Sequence, residues 1–237
     1  HPPCSPVFMS ATATSSAFPK LSDPVGVFGG TFDPVHFGHL RLAEESMAHL
    51  GLGAVRWIPA GNPPHRGQPQ VTALQRLEMV QRSTAGNPRF QVDASEVLSM
   101  APSYTVDTLT RLRAEYGPTQ PLVLLVGADA FAGLSSWHRW QEIFALAHVA
   151  VSHRPGFPVE GASLPSELAE AFSARRAADI ADLKAAAAGR IATFAMTQLA
   201  ISATQIRKLL ANRMSARYLL PDEVLDYIQT HSLYRNA

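Results

Sequence analysis

Short apolar runs and longer amphipathic stretches alternate along the chain. Val25–Gly29 is an apolar run ending in glycines, the pattern of a buried parallel strand. From His39 to Leu50 the residues Leu40, Ala43, Met47 and Leu50 recur on one helical face, and Gly51 and Gly53 end the repeat. Ala54–Pro59 reads as a second strand, closed by the loop Gly61-Asn62-Pro63-Pro64. A helix follows from Thr72 to about Ala85, with Leu74, Leu77 and Val80 as its apolar stripe. Arg89–Asp93 then reads as a third strand and Ser103–Tyr116 as a helix capped by Ser103. Pro121–Val126 is the strongest strand and runs into Gly127-Ala128-Asp129. Beyond it the pattern predicts a helix around Trp140–Ala147, a strand at His148–Ser152 and a loop over 157–165. An alanine-rich helix from about Pro165 to Ala188, closed by Gly189, and a strand at Arg190–Met196 come next. Two helices, from about Ser202 and about Pro221, complete the chain.

Strands separated by helices predict an α/β fold, a doubly wound and mostly parallel sheet with helices on both faces. Ligands of such sheets sit beyond the carboxyl ends of the strands. At 237 residues one domain suffices, spanning 23–237 with a helical part from about 201. Residues 1–22 are rich in Ser, Thr, Pro and Ala and read as a flexible extension without the marks of a signal peptide. A composition of 46% hydrophobic and 16% charged residues supports a buried core. The net charge of +1 gives no reason to expect a nucleic acid polymer as partner. The single cysteine, Cys4, excludes an internal disulfide, and no apolar run reaches the length of a membrane span. These features predict a cytoplasmic protein without a membrane partner, leaving monomer and homodimer both open.

The candidate chemistry starts at the turn after the first strand, Gly29-Gly30-Thr31-Phe32-Asp33-Pro34-Val35-His36-Phe37-Gly38-His39. Paired glycines let a backbone pass close to a phosphate or ribose, and the following helix start offers free N–H groups to an anion. His36 and His39 are placed to donate hydrogen bonds to phosphate oxygens, although helix capping or a metal pair at i, i+3 would use the same residues. The spacing is neither that of a P-loop nor that of a G-x-G-x-x-G dinucleotide turn. Near the other end, Ile201-Ser202-Ala203-Thr204-Gln205-Ile206-Arg207 opens a helix with two hydroxyls and places an arginine one turn later.

His36-Phe37-Gly38-His39 matches the H-x-G-H motif of a nucleotidyltransferase superfamily, and GGTFDPVHFGHL resembles the nicotinate-nucleotide adenylyltransferases in particular. The segment 201–207 is similar to that superfamily's I-S-x-T-x-x-R motif. The resemblance runs from Val25 to Arg235 and is loosest between Phe157 and Arg190. It implies a Rossmann-like fold and an ATP site formed by Gly29, Gly30, Thr31, Phe32, Gly127, Asp129, Arg154, Ser202, Thr204 and Arg207. His36, His39 and Arg207 would be catalytic, with Mg²⁺ carried on the ATP phosphates rather than in a dedicated metal site. The acceptor, nicotinate mononucleotide, would meet Asn62, His65, Arg66, Tyr104, Thr105 and Trp137. There, amides and the Thr105 hydroxyl would receive the nicotinate carboxylate, and Trp137 would stack on the pyridine ring or else simply pack a helix. The implied reaction is direct in-line attack on the α-phosphorus of ATP, giving deamido-NAD. Alternatives are nicotinamide mononucleotide or phosphopantetheine as acceptor, a non-catalytic nucleotide-binding module, and a metal hydrolase built on the two histidines. Asp33 is the only carboxylate near to serve that last one.

Overall fold

The computed structural model describes residues 23–63 and 67–235. The N-terminal extension with Cys4, and the candidates His65 and Arg66, lie outside the described residues. Six parallel strands form one sheet in the order β3-β2-β1-β4-β5-β6: β1 Val25–Gly30, β2 Ala54–Pro59, β3 Phe90–Val92, β4 Leu122–Gly127, β5 His148–His153 and β6 Ile191–Ala195. Helices α1 Phe37–Leu50 and α2 Ala73–Thr84 link the first three strands, and α3 Thr105–Tyr116 carries the chain across to β4. Strand order therefore reverses between β1 and β4, which opens a crevice at their carboxyl ends. This is the Rossmann-like, doubly wound arrangement expected from the sequence.

Period-two alternation sorts the strand residues between two cores. Val25, Val27, Leu124 and Val126 face one cluster with Leu109, Leu112, Phe131 and Ile143. Phe28, Val123 and Leu125 face the other, with Met47, Trp57, Ile206, Val224 and Tyr227. Gly26 permits that second packing, because a Cβ there would stand 2.8 Å from Leu52 Cδ1.

Four local expectations change. On α2 the buried stripe is Leu77, Met79 and Val80 with Arg76, while Leu74 is 62% exposed. Ser103 does not cap α3: Tyr104 holds that position, and the Ser103 amide donates to the Asn62 carbonyl at 3.2 Å. The stretch 140–147 is a 3-10 turn, Trp140–Glu142, leading into the single helical turn α5, Ile143–Leu146. Between α5 and α3 lies α4, Ala128–Ala132. The alanine-rich helix divides into α6 Ser166–Arg175 and α7 Ala181–Ala185. Between them Arg176 bridges to Ile191 at the sheet edge, and the Asp182 carboxylate takes the Ala178 and Asp179 amides. Acidic side chains that bind nearby amides offer the backbone an alternative to the helix, and here that alternative wins. The chain ends with α8 Ala203–Ala211 and α9 Asp222–Thr230. Among the described residues no helix is long and apolar enough to cross a membrane.

A buried ion cluster fixes α3 against the sheet. Asp93 accepts from Arg56 Nε at 2.9 Å, from Arg111 Nη1 at 2.9 Å and from the Ser95 amide at 2.9 Å, while Arg56 also pairs with Glu115. Burial pushes the Asp93 carboxyl up, but the Ser95 hydrogen bond and the two guanidinium groups outweigh it and hold the carboxyl below its usual range. A depressed carboxylate stabilises the fold above its unfolded pKa and ceases to do so as pH falls through the folded value. Asp93→Ala should therefore lower stability by about 3 kcal/mol at neutral pH. The gap to wild type in urea unfolding should narrow below about pH 4. A gap independent of pH would show that the charge of Asp93 is not what stabilises.

Candidate active site

At the carboxyl end of β1 two histidines build the start of α1 between them. His36 is the N-cap: its Nδ1 accepts from the Gly38 amide at 3.0 Å, and His39 Nδ1 accepts from the His36 amide at 3.1 Å. A ring nitrogen that accepts carries no proton, so each neutral ring holds its proton on Nε2 and keeps that atom as its donor. The rings stack with centroids 3.7 Å apart, and Phe32 packs edge-on to His39 at 5.0 Å. Burial drives the His36 pKa down to about 4, so at neutral pH it is uncharged. Gly38 is required by this stack, since a Cβ would lie 2.7 Å from His36 Cε1.

The loop leading to these rings is held from three distant places. Arg76, 1% exposed, donates to the carbonyls of Thr31 at 2.7 Å and Ala60 at 2.6 Å. Asp33 Oδ1 accepts from Tyr234 Oη at 2.6 Å and Oδ2 from the Gln70 amide at 3.2 Å. The Asp33 carbonyl accepts from Arg207 Nη1 at 2.7 Å, and Arg207 Nη2 reaches Thr204 Oγ1 at 3.2 Å. The two signature segments thus meet directly. Ser202 caps α8 through its hydroxyl, accepting from the Gln205 amide at 3.1 Å. On α1, Glu45 accepts from the Thr197 amide at 2.8 Å and so anchors the segment leading to Ser202.

The remaining candidates divide between two spaces. A cavity of about 130 Å³ gathers Gly29, Gly30, Ser103, Thr105, Trp137 and, unexpectedly, Glu96. Asn62 is not among the residues lining it; its carbonyl accepts from the amide of Ser103, which is. The Tyr104 ring turns away, tilted against His138 with centroids 4.5 Å apart, and lines an adjoining groove with Asp107 and Arg111. What Tyr104 offers the cavity's wall is its position at the start of α3. A wider space of about 420 Å³ gathers Asp129, Ser152, Arg154, Phe157 and Thr197 beyond β4 and β5, with Gly127 as the last residue of β4. Arg154 lies over the Phe157 ring at 4.7 Å. Sequence reasoning passed over Arg76, Glu96 and a site role for Tyr234. Arg76 had a signal, a charge at helical spacing between Met79 and the apolar Ala73, but such residues ordinarily face water.

Comparisons with known proteins agree with this geometry. Residues 27–209 match the family model described as cytidylyltransferase-like. A protein of Dechloromonas aromatica named "Probable nicotinate-nucleotide adenylyltransferase" is 77% identical over 217 residues, covering 92% of this chain and all of its own length. A protein of the same name from Pseudomonas paraeruginosa is 48% identical over 211 residues, covering 89% of this chain and 97% of its own. Among solved structures, the Plasmodium falciparum nicotinic acid mononucleotide adenylyltransferase complexed with NaAD superposes with a TM-score of 0.67. It has 14% identity and covers 91% of this chain and 98% of its own, a likeness of fold. The same enzyme complexed with APC gives a TM-score of 0.65.

The Asp33 knot has a measurable worth. Tyr234→Phe removes only the hydroxyl and leaves a buried carboxylate oxygen without its 2.6 Å donor. The variant should lose about 1–3 kcal/mol in denaturant unfolding. An unchanged midpoint would mean that water replaces the hydroxyl at no cost.

Proposed function

The chain belongs to the cytidylyltransferase-like family and, within it, to the nicotinate-nucleotide adenylyltransferases, and from that premise we propose that it transfers the AMP part of ATP to nicotinate mononucleotide, forming deamido-NAD and pyrophosphate in NAD biosynthesis. The observation that carries this reading is the convergence at one loop of two neutral imidazole donors and one guanidinium from the far end of the chain. That set suits a phosphorus centre on which negative charge builds. The consumption of ATP fits the cytoplasmic setting expected from the sequence.

The acceptor's 5′-phosphate oxygen attacks the α-phosphorus, the bond from the α-phosphorus to the bridging oxygen breaks, and pyrophosphate leaves with that electron pair. No general base is needed, because a phosphate monoester is largely ionised at neutral pH. His36 and His39 donate from Nε2 to the α-phosphate oxygens, where charge grows in the transition state. Arg207 exchanges the Asp33 carbonyl for the β- and γ-phosphates and steadies the leaving group. The Ser202 and Thr204 segment receives those phosphates at the start of α8. The glycine pair lets the nucleotide approach β1, while Asp129 and Arg154 take the ribose and phosphate side. The acceptor ring enters the cavity beside Trp137, its carboxylate toward the α3 amides near Thr105. Mg²⁺ bound to the ATP phosphates would neutralise part of their charge. The protein donors fit a metal held by phosphate and water, since Asp33, the acid in the loop, is committed to Tyr234 and Gln70.

Pyrophosphate release with ATP and Mg²⁺ tests the reaction, comparing nicotinate mononucleotide with nicotinamide mononucleotide at equal concentration. A clear preference for the acid is expected; comparable rates would remove specificity from the Thr105 region, and no release with either would overturn the reaction. His39→Ala should lower kcat by orders of magnitude with a smaller change in ATP affinity. A loss below about tenfold, roughly 1.4 kcal/mol of barrier, would exclude His39 from catalysis.

A further inference from the structure

The acceptor cavity contains a carboxyl group that the reaction above does not use. Glu96 lies in the loop after β3 and lines the cavity together with Thr105, Thr108 and Trp137. Its carboxylate accepts a short hydrogen bond from Thr108 Oγ1, in the first turns of α3. The loop is held firmly in place: Gly61 stands against the Glu96 carbonyl so closely that any Cβ would overlap it, and the Ser95 amide is tied to Asp93.

Among the described residues, the charges that face Glu96 are few. Asp93, at the end of β3, is acidic, and Asp107 on α3 lines the adjoining groove. Arg111 on α3 is the nearby cation, but it is bonded to Asp93 at 2.9 Å. Among the described residues no cation forms an ion pair with Glu96. Burial pushes the Glu96 carboxyl above its usual range, against the opposing pull of the Thr108 and Ser103 hydroxyls and of Arg111.

An acceptor carboxylate entering a cavity of about 130 Å³ must lie close to this group. Two ionised carboxylates so enclosed repel, and one of them takes up a proton. An ionised Glu96 can only accept, which suits the NH₂ of a carboxamide. A protonated Glu96 can donate its O–H, which suits a carboxylate. We propose that Glu96 sets the acceptor preference: in its neutral form it selects the pyridine acid, and in its ionised form it admits the pyridine amide. The inference rests on the acceptor site proposed above and deepens it.

Linkage fixes the sign. Binding of the acid drives proton uptake by Glu96, so affinity for the acid falls as pH rises above the pKa of the free protein. Binding of the amide requires no proton. One linked proton changes the ratio by at most about tenfold per pH unit. The 5′-phosphate and ATP titrate identically with either acceptor, so they cancel in the ratio.

The experiment measures kcat/KM for nicotinate and nicotinamide mononucleotides between about pH 6 and pH 9. It is paired with calorimetric titration of the acid in buffers of different ionisation enthalpy. In the wild type the acid-over-amide ratio should fall by about tenfold or more across that range, with proton uptake on binding the acid. Glu96→Gln keeps an acceptor for Thr108 and a donor for the carboxylate but cannot ionise. Its ratio should be independent of pH, and its binding of the acid should take up no proton. Thr108→Val removes the hydrogen bond that favours the ionised form, and should move the fall in the ratio to higher pH. This second variant carries the test if Glu96→Gln does not fold. A flat wild-type ratio, or a wild-type slope retained in Glu96→Gln, overturns the inference while leaving the reaction standing. Turnover of neither acceptor by the wild type would overturn the reaction and this inference with it.

Discussion

The site depends on one buried charge. Arg76 is 1% exposed and, among the described residues, has no carboxylate bonded to it, yet its guanidinium donates to the carbonyls of Thr31, Ala60 and Gly61. A cation taken from water is costly unless hydrogen bonds and nearby negative charge offset it. Burial draws its pKa down, and the charge of Asp33 acts in the opposite direction. The three carbonyls belong to two loops, one after β1 and one after β2. Holding both with one rigid fork sets the separation between the proposed ATP side and the proposed acceptor side, a task for which lysine's single ammonium has no equivalent geometry.

Asp33 extends that constraint to the end of the chain. Its carboxylate holds Tyr234 and the Gln70 amide, and its carbonyl holds Arg207. Residues from α2, α8 and the segment after α9 therefore converge on the turn that presents His36 and His39. In the proposed reaction this matters because donors act on a transition state only when their positions are settled beforehand. The sheet places the turn, the distant side chains hold its shape, and the first turn of α1 points the imidazoles. Each layer would leave the next imprecise if removed.

Much of this was legible in the sequence, for identifiable reasons. All six strands were expected at their places, most plainly β1 and β4, short apolar runs that end in glycine, and period two puts Val25 and Val27 opposite Phe28. The junction at His36–His39 was legible as a strand-to-helix turn, and the capping weighed there is what the two rings do at the start of α1. The alanine-rich stretch misled because helix propensity is a weak prior that the sheet edge at Ile191 overrides through Arg176. Arg76 was hidden because nothing along the chain distinguishes a guanidinium that turns inward from one that meets water. Glu96 and Tyr234 were hidden because their partners, Thr108 and Asp33, come close only through the tertiary fold. The direction of the Tyr104 ring, toward His138 rather than the cavity, also depends on packing that no local spacing encodes.

The protonation of the two histidines narrows the kind of catalysis open to the proposed site. Rings stacked at 3.7 Å cannot both be cations without strong repulsion, and burial already keeps His36 neutral with a pKa of about 4. Backbone amides occupy both Nδ1 atoms, so neither ring can turn over without breaking the start of α1. In the proposed reaction, two fixed, uncharged donors would respond less to the charge of ATP than cations would, and would gain strength as charge develops on the oxygens they face. That is the differential binding that lowers a barrier, rather than uniform binding that deepens the ground state. The cation proposed for the leaving group is Arg207, which is half-buried and in the free protein rests on the Asp33 carbonyl. A carbonyl is the weaker partner, so the guanidinium can transfer to a phosphate without breaking an ion pair. Charge is thus kept where pyrophosphate would leave, and neutrality where the new bond would form.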